Sequence, residues 1–250
     1  MLSHDYLHGI LNKYTADHSG AQLAAQSIYP IIQIWGGNLI EKSSFSGSLA
    51  KGTAISLTSD ADIFISLSSS TPSTLQEIHN TLHTAFVQRG YAPRKQNVSI
   101  SIEVNGYKVD LVPGKRQNQQ DNYHSLFRHK LNTWTQTNVD VHITHVKNSN
   151  RIREIRLAKI WKALHGLDFP SFYLEMLVID ALSGYKYDDL PTNFCRVLEF
   201  IRDELPARQY IDPANTNNII SNDLTESEKN AIAYQANESR AKRSWGEIVW

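Results

Sequence analysis

The sequence has few of the features that mark secreted, membrane or disulfide-bonded proteins. Its single cysteine, Cys195, excludes an internal disulfide and a zinc site built on several thiolates, and it fits a reducing compartment. No apolar run approaches the roughly 20 residues of a membrane-spanning helix. The first residues, MLSHDYLHGILNKY, lack the basic start and apolar core of a secretory signal. We therefore expect a cytoplasmic protein with no membrane partner.

The sequence also lacks an excess of either charge. Its 25 lysines and arginines balance its 25 aspartates and glutamates, so the formal net charge is zero and does not indicate a polyanionic partner. A nucleotide or nucleic-acid site would have to come from local clustering. The densest basic run lies between Lys147 and Lys162, where the only acidic residue is Glu154. Such a run is either a solvated helix face or part of a phosphate site.

Local patterns predict an α+β protein of 250 residues, long enough for one large domain or two small ones. Leu2 to Ile34 is mostly helical in pattern, with a kink or a restart at Pro30. The segments NLIEKSSFSG and DADIFISL read as strands, and TPSTLQEIHNTLHTAFVQRGY reads as a helix capped near Thr71. The second half is largely helical, and Thr192 and Thr225 are the predicted caps of its last two helices. We expect a strand-rich lobe at residues 1–135, a helical lobe at 136–250, and a cleft between them.

The segment VSISIEVNGYKVDLVPG carries the clearest local signal, that of a β-hairpin. Apolar residues alternate on both sides of Asn105-Gly106, the preferred pair for a two-residue type I′ turn. With that turn the facing pairs are Val104 with Tyr107, Ile102 with Val109, and Ile100 with Leu111. These side chains share one face of the hairpin, so Asp110 projects from the other face.

Asp60 and Asp62 raise a different question, because carboxylates open an otherwise apolar strand. At positions i and i+2 they point to one face, and Asp110 lies on the polar face of a second strand. A lone Asp-x-Asp is usually a solvated strand edge, but three ionised carboxylates brought together need cations. Oxygen ligands of high charge suit Mg²⁺ or Mn²⁺. Two such ions would clamp the attacking and leaving oxygens of a phosphoryl transfer.

Eleven residues separate the pair Gly47-Ser48 from Asp60. A glycine permits close approach of backbone to a phosphate. Backbone N–H groups there, together with the Ser48 hydroxyl, suit the outer phosphates of a nucleoside triphosphate. By itself Gly-Ser is a weak signal, and its position relative to the three aspartates gives it weight.

The compound pattern resembles the catalytic core of the DNA polymerase β-like nucleotidyltransferase superfamily. FSGSLAKGTAISLTSDADIFI and VDLVPG supply its Gly-Ser, its Asp-x-Asp and its distant third aspartate. Within the superfamily the chain is most similar to the branch of oligoadenylate synthases, bacterial cGAS/DncV-like nucleotidyltransferases (CD-NTases) and archaeal CCA-adding enzymes. The resemblance implies a polymerase β-like sheet lobe and a helical lobe that completes the nucleotide cleft. It also implies that Asp60, Asp62 and Asp110 are catalytic and bind metal.

The helical half resembles the same branch. RLAKIWKALHG is similar to the helix whose lysine reaches the triphosphate, which implies that role for Lys159. FPSFYLEMLV is similar to the following helix, which implies a phosphate contact for Ser171 and base stacking for Phe172. YIDPANTNNII resembles a segment near the end of these proteins. The resemblance therefore covers roughly Phe45 to Asn218.

The implied activity is a metal-dependent, template-independent nucleotidyl transfer that consumes NTPs and releases pyrophosphate. Short or cyclic oligonucleotides made as a bacterial antiviral signal are the leading hypothesis for the product. The alternative is a minimal enzyme that modifies an RNA 3′ end or a protein hydroxyl, for example as a toxin. Nucleic acid would enter only as acceptor or product. Base preference, linkage and oligomeric state do not follow from the sequence.

Overall fold

The computed structural model describes residues 3–58 and 60–250. Met1, Leu2 and Ser59 lie outside the described residues, and so does the predicted start of the first helical stretch at Leu2. Two compact units make up the chain. We call them the sheet unit (Asp17–Lys51 and Ser59–Ile143) and the helical unit (Met1–Ala16, Gly52–Thr58 and Thr144–Trp250). Within the described ranges, no helix is both long and apolar enough to cross a bilayer.

The sheet unit is organised around one mixed β-sheet. Its strands are β1 (Ile40–Phe45), β2 (Ala61–Leu67), β3 (Arg94–Lys95), β4 (Ile100–Val104), β5 (Tyr107–Arg116), β6 (His124–Arg128) and β7 (Thr133–Thr137). The order across the sheet is β1-β2-β5-β4-β3, with β6 paired to β5 and β7 paired to β6. Only the central pair, β2 and β5, is parallel among these pairings. The two predicted aspartate strands are therefore direct neighbours.

The β4–β5 hairpin has the predicted register. Val104 faces Tyr107, Ile102 faces Val109 and Ile100 faces Leu111. Asn105 and Gly106 both adopt positive φ, at 52° and 81°, as a type I′ turn requires. The apolar face of the hairpin is buried in the core of the sheet unit. Asp110 consequently lies on the opposite face.

Helices cover the apolar face of the sheet. They are α2 (Ser19–Ser27), α3 (Tyr29–Gly36) and α5 (Leu75–Val87), and the short α4 (Gly47–Lys51) follows β1. Small residues of α2, such as Ala21 and Ala25, let that helix approach the strands closely, while Leu82 and Phe86 of α5 fill the remaining space. Thr74 caps α5 with Glu77 in a capping box, so this helix begins three residues later than the cap expected near Thr71.

The helical unit has a separate hydrophobic core. Its helices are α1 (Ser3–Lys13), α7 (Ile152–Leu164), α8 (Ser171–Ala181), α9 (Leu190–Glu204) and α10 (Glu226–Arg240). The boundary between the two units, after Ile143, falls within α6 (Val139–Asn148). A small hairpin, β8 (Ile211–Asp212) and β9 (Asn215–Ile219), precedes α10. Short 3₁₀ helices occur at Gly37–Leu39, Ser56–Thr58, His129–Leu131, Ile220–Asp223 and Trp245–Glu247. The structure thus confirms the expected α+β class.

The first helix packs with the second half of the chain. Leu7, Ile10 and Leu11 of α1 are buried in the same core as Ile155 and Trp161 of α7. The sequence pattern predicted a contiguous lobe at 1–135 that included α1, whereas α1 belongs to the compact helical unit. Local patterns do not reveal this contact, because it joins residues far apart in the sequence.

Candidate active site

The three aspartates lie on one face of the sheet unit. Asp62 of β2 is the register partner of Asp110 on the parallel strand β5, and Asp60 immediately precedes β2. Residues directly opposite on neighbouring strands share a face, with strands about 4.8 Å apart. The opposite face is filled by Ala61, Ile63 and other core residues. The predicted convergence of the three carboxylates therefore follows from the pairing of β2 with β5.

Lys108 forms ion pairs with two of these carboxylates, and the sequence analysis did not identify it. Its Nζ donates to Asp60 Oδ2 at 2.9 Å and to Asp110 Oδ2 at 3.2 Å. Lys108 precedes Asp110 by two residues on β5, so strand alternation alone places it on the carboxylate face. Its ammonium forms ion pairs with Asp60 and Asp110 and so compensates part of their negative charge, a role that a bound metal cation would otherwise have. The neighbouring carboxylates raise the Lys108 pKa, although burial alone would lower it.

Asp62 is the buried member of the cluster. Burial, reinforced by the nearby charges of Asp110 and Asp60, raises its pKa to about 6. The charges of Lys108 and Lys51 act in the opposite direction but do not cancel these effects. A carboxylate in this environment is costly to ionise without a further cation.

Gly47 fits closely against the cluster. Its φ is +57°, a conformation that glycine adopts readily, and a Cβ on this residue would overlap the Asp62 carboxylate. The backbone N–H of the preceding Ser46 donates to Asp62 O at 2.8 Å, which fixes the turn to β2. Ser48 is in the first turn of α4 and is partly exposed. The backbone at Gly47 thus lies against Asp62, and the phosphate contacts of Gly47 and Ser48 stay a prediction.

The donor set fits divalent cations. Carboxylate oxygens are the ligands preferred by Mg²⁺ and Mn²⁺, and Asp110 Oδ1 is buried without a hydrogen-bond partner. In the described residues, no three acidic, histidine or cysteine side chains are already assembled as a metal cluster. The Lys108 ammonium is hydrogen-bonded to both Asp60 and Asp110. Asp60, Asp62 and Asp110 would hold the metal once that ammonium moves.

Two hollows adjoin the carboxylate face of the sheet unit. One, of about 350 Å³, extends along β2 beyond Asp62, and Phe64, Ser66 and His124 are among the residues that line it. His124 Nε2 lies 2.8 Å from Ser66 Oγ, and burial lowers the His124 pKa. The other, of about 480 Å³, lies toward β4 and β3. The sequence analysis did not identify either hollow, because both depend on strand neighbours distant in the chain.

Lys159, predicted to contact the triphosphate, is buried in the helical unit. Its Nζ donates to Glu175 Oε1 at 2.6 Å and to Thr53 Oγ1 at 2.9 Å. Thr53 Oγ1 in turn donates to Glu175 Oε1 at 2.7 Å. Lys159 is 4% exposed and Glu175 is 1% exposed. The phosphate role of Lys159 stays a prediction, and it requires this ion pair to rearrange.

Ser171 and Phe172, the other predicted residues of the helical unit, begin α8. Ser171 is exposed and Phe172 is half-buried. Lys162 Nζ donates to Ser171 Oγ at 3.4 Å and also to Phe169 O. Burial, with the charge of Lys159, lowers the Lys162 pKa. Lys162 is therefore a further phosphate-binding candidate in this unit.

Most of the basic run around α7 has structural partners. Arg151, 3% exposed, donates to Leu182 O at 2.7 Å, and Arg156 donates to Leu11 O at 3.1 Å. Arg153 donates to a backbone carbonyl as well. These guanidinium groups complete backbone hydrogen bonding at loops and helix ends. The run therefore does not form one phosphate-facing basic patch.

Comparison with known proteins finds a family that matches the segment containing this site. Residues 36–150 match the Second Messenger Oligonucleotide or Dinucleotide Synthetase (SMODS) domain family. That segment contains Gly47, Ser48 and all three aspartates. The chain is also 24% identical over 227 residues to a cyclic AMP-AMP-AMP synthase of Escherichia coli (strain MS 115-1), an alignment that covers 75% of this chain and 71% of the relative.

Solved structures show the same fold over nearly the whole chain. E. coli MS115-1 CdnC with ATP has a TM-score of 0.76 at 20% identity and covers 96% of this chain and 90% of that one. The Bradyrhizobium diazoefficiens CD-NTase CdnG in complex with GTP has a TM-score of 0.77 at 11% identity and covers 94% and 89%. At these identities the structural likeness establishes the fold alone.

Proposed function

We propose that this chain, a member of the CD-NTase branch of the DNA polymerase β-like nucleotidyltransferases, makes short or cyclic oligonucleotide signals from NTPs. The observation that carries the proposal is the parallel register of Asp62 with Asp110, with Gly47 held against the Asp62 carboxylate. A solvated strand edge needs neither the burial of Asp62 nor a glycine fitted against it. The reaction is template-independent, and its biological setting is cytoplasmic antiviral defence.

The chemistry joins two nucleotides. A ribose hydroxyl oxygen of the acceptor bonds to the α-phosphorus of an NTP, and the bond from that phosphorus to the pyrophosphate oxygen breaks. Asp110 Oδ1, buried and without a partner, is placed to accept a hydrogen bond from the attacking hydroxyl. Asp60, Asp62 and Asp110 would hold two Mg²⁺ or Mn²⁺ ions, which would supply compensating charge to the transferring phosphoryl group.

Other residues bind the donor nucleotide. In the sheet unit, the backbone at Gly47 and the hydroxyl of Ser48 contact its outer phosphates. In the helical unit, Lys159 and Ser171 contact phosphate, and Phe172 stacks on the base. Support for these roles comes from the family motif and, for Gly47, from its approach to Asp62. The pairing of Lys159 with Glu175 implies that phosphate binding competes with an internal carboxylate.

The test is pyrophosphate release from ATP, GTP, CTP and UTP with Mg²⁺ or Mn²⁺. We expect the wild-type protein to release pyrophosphate, and we expect Asp60→Asn with Asp62→Asn to abolish the release without loss of the folded state. Asp188→Asn, at an exposed position of the helical unit, is the matched control and should retain full activity. Equal pyrophosphate release by the double variant and the wild type would contradict the assignment.

A further inference from the structure

A row of side chains crosses the sheet unit from the catalytic carboxylates to the edge strand. Asp62 is the register partner of Asp110, Asp110 of Ser101, and Ser101 of Arg94. Residues in such a row share one face of the sheet. Arg94 is therefore on the carboxylate face, two strands from Asp110, at a separation of about 10 Å.

The hollow of about 480 Å³ lies over the β3 end of this row. Arg94, Gln96, Ser101, Glu103 and Lys108 are among the residues that line it. Lys108 belongs both to the hollow and to the carboxylate cluster, because its ammonium is bonded to Asp60 and Asp110. The hollow thus adjoins the carboxylate cluster at Lys108.

Arg94 has no structural task that would explain its position. Its side chain is exposed, and within residues 3–58 and 60–250 its guanidinium has no hydrogen-bond or ion-pair partner. The next residue, Lys95, faces the other side of the sheet and is bonded to Asn80 Oδ1 at 2.7 Å. Arginine presents a planar fork of donors that matches phosphate oxygens, so an unpaired Arg94 beside a hollow favours an anionic ligand.

The distance from Asp110 to Arg94 indicates which part of a bound nucleotide would lie in the hollow. An acceptor nucleotide places its ribose hydroxyl at Asp110, and its own 5′-phosphates extend away from that hydroxyl by about the length of a ribose. The donor phosphates are assigned to the other side of the cluster, at Gly47 and Ser48. Arg94 and the hydrogen-bonding groups of Gln96 and Ser101 therefore meet the acceptor, not the donor.

We propose that this hollow is a subsite for the 5′-phosphates of the acceptor, whether an NTP or the linear oligonucleotide formed in the preceding step, with Arg94 as its principal phosphate ligand. The inference rests on the proposed function, since it assumes that the acceptor reacts at Asp110. A phosphate in the hollow also gives the Lys108 ammonium a second anionic partner. Acceptor binding thereby assists departure of that ammonium from Asp60 and Asp110.

The experiment measures acceptor binding without catalysis. Isothermal titration in EDTA compares the triphosphorylated dinucleotides pppApA and pppUpU with unphosphorylated ApA and UpU, so that neither base preference nor turnover enters the result. For the wild-type protein we expect at least tenfold tighter binding of the triphosphorylated form. Arg94→Ala should weaken binding of pppApA or pppUpU by roughly 10- to 100-fold, the effect of losing a charged contact, and should leave ApA and UpU unchanged. Arg94→Lys should restore part of the loss.

Arg89→Ala is the matched control, because Arg89 is an exposed arginine beyond the end of α5 that does not line the hollow. It should bind all four probes as the wild type does. The subsite is refuted if the wild type shows no preference for the triphosphorylated dinucleotides, or if Arg94→Ala keeps the wild-type preference. Tight, Arg94-dependent binding by a protein that makes no product from NTPs would refute the proposed reaction alone.

Discussion

Asp62 should make the metal-free protein less stable as the pH rises. Its pKa is raised from 3.8 to about 6, because burial and the charges of Asp110 and Asp60 disfavour its ionised form. The folded state therefore holds a proton on Asp62 that the unfolded chain has released between pH 3.8 and about 6. In this window stability falls as the pH rises, and below pH 3.8 the contribution disappears because both states are protonated.

The size of the effect follows from the pKa shift. A difference of about 2 pKa units at about 1.4 kcal/mol per unit gives about 3 kcal/mol lost above pH 6. Asp62→Asn cannot ionise, so its free energy of unfolding should exceed that of the wild type by up to about 3 kcal/mol at pH 8. The difference should shrink toward zero near pH 4.

Urea denaturation in EDTA at several pH values measures this difference. Asp188→Asn, an exposed aspartate in the helical unit, is the control and should show no such pH-dependent gain. Saturating Mg²⁺ should stabilise the wild type and reduce the advantage of Asp62→Asn, because the metal compensates the carboxylate. An advantage independent of pH, or an equal one in Mg²⁺ and EDTA, would refute the electrostatic account of the cluster.

Three further substitutions probe the surrounding contacts. Lys108→Met should tighten Mn²⁺ binding in titrations without nucleotide, because the ammonium no longer occupies Asp60 and Asp110; unchanged or weaker binding would contradict its placement. Lys159→Met should cost about 3–5 kcal/mol in urea denaturation by removing the positive charge that compensates the buried Glu175 carboxylate, and Lys159→Met with Glu175→Gln should recover much of it; equal losses in both would contradict the ion-pair account. Gly47→Ala should lower both stability and pyrophosphate release, and wild-type behaviour would contradict close packing against Asp62.

Local signals in the sequence predicted the parts of the fold that depend on neighbouring residues. The β4–β5 hairpin followed from Asn105-Gly106 and the alternation beside it, and the cap of α10 followed from Thr225. The cap of α9 did not: Asp189, not Thr192, accepts the capping hydrogen bond, from the Thr192 N–H. Both residue types suit an N-cap, so the sequence alone does not select between them.

Contacts between residues distant in the sequence determine the features of the site that local patterns could not predict. Asp62 and Asp110 could be assigned to one face from strand alternation, but their direct register depends on the parallel pairing of β2 and β5. Lys108 could have been found by the same alternation. Lys159 could not have been placed, because the buried carboxylate that holds it belongs to Glu175 on the next helix. Helical periodicity gives the face of a residue but does not identify its partner.

The central claim is that this chain joins NTPs to one another. Chromatography of a reaction with radiolabelled NTPs and Mg²⁺ or Mn²⁺, with and without added tRNA, tests it most directly. We predict that label moves into small oligonucleotides, linear or cyclic, without added RNA, and that Asp60→Asn with Asp62→Asn forms none of them. Label that appears only when tRNA or another macromolecule is present, and remains attached to it, would contradict the claim.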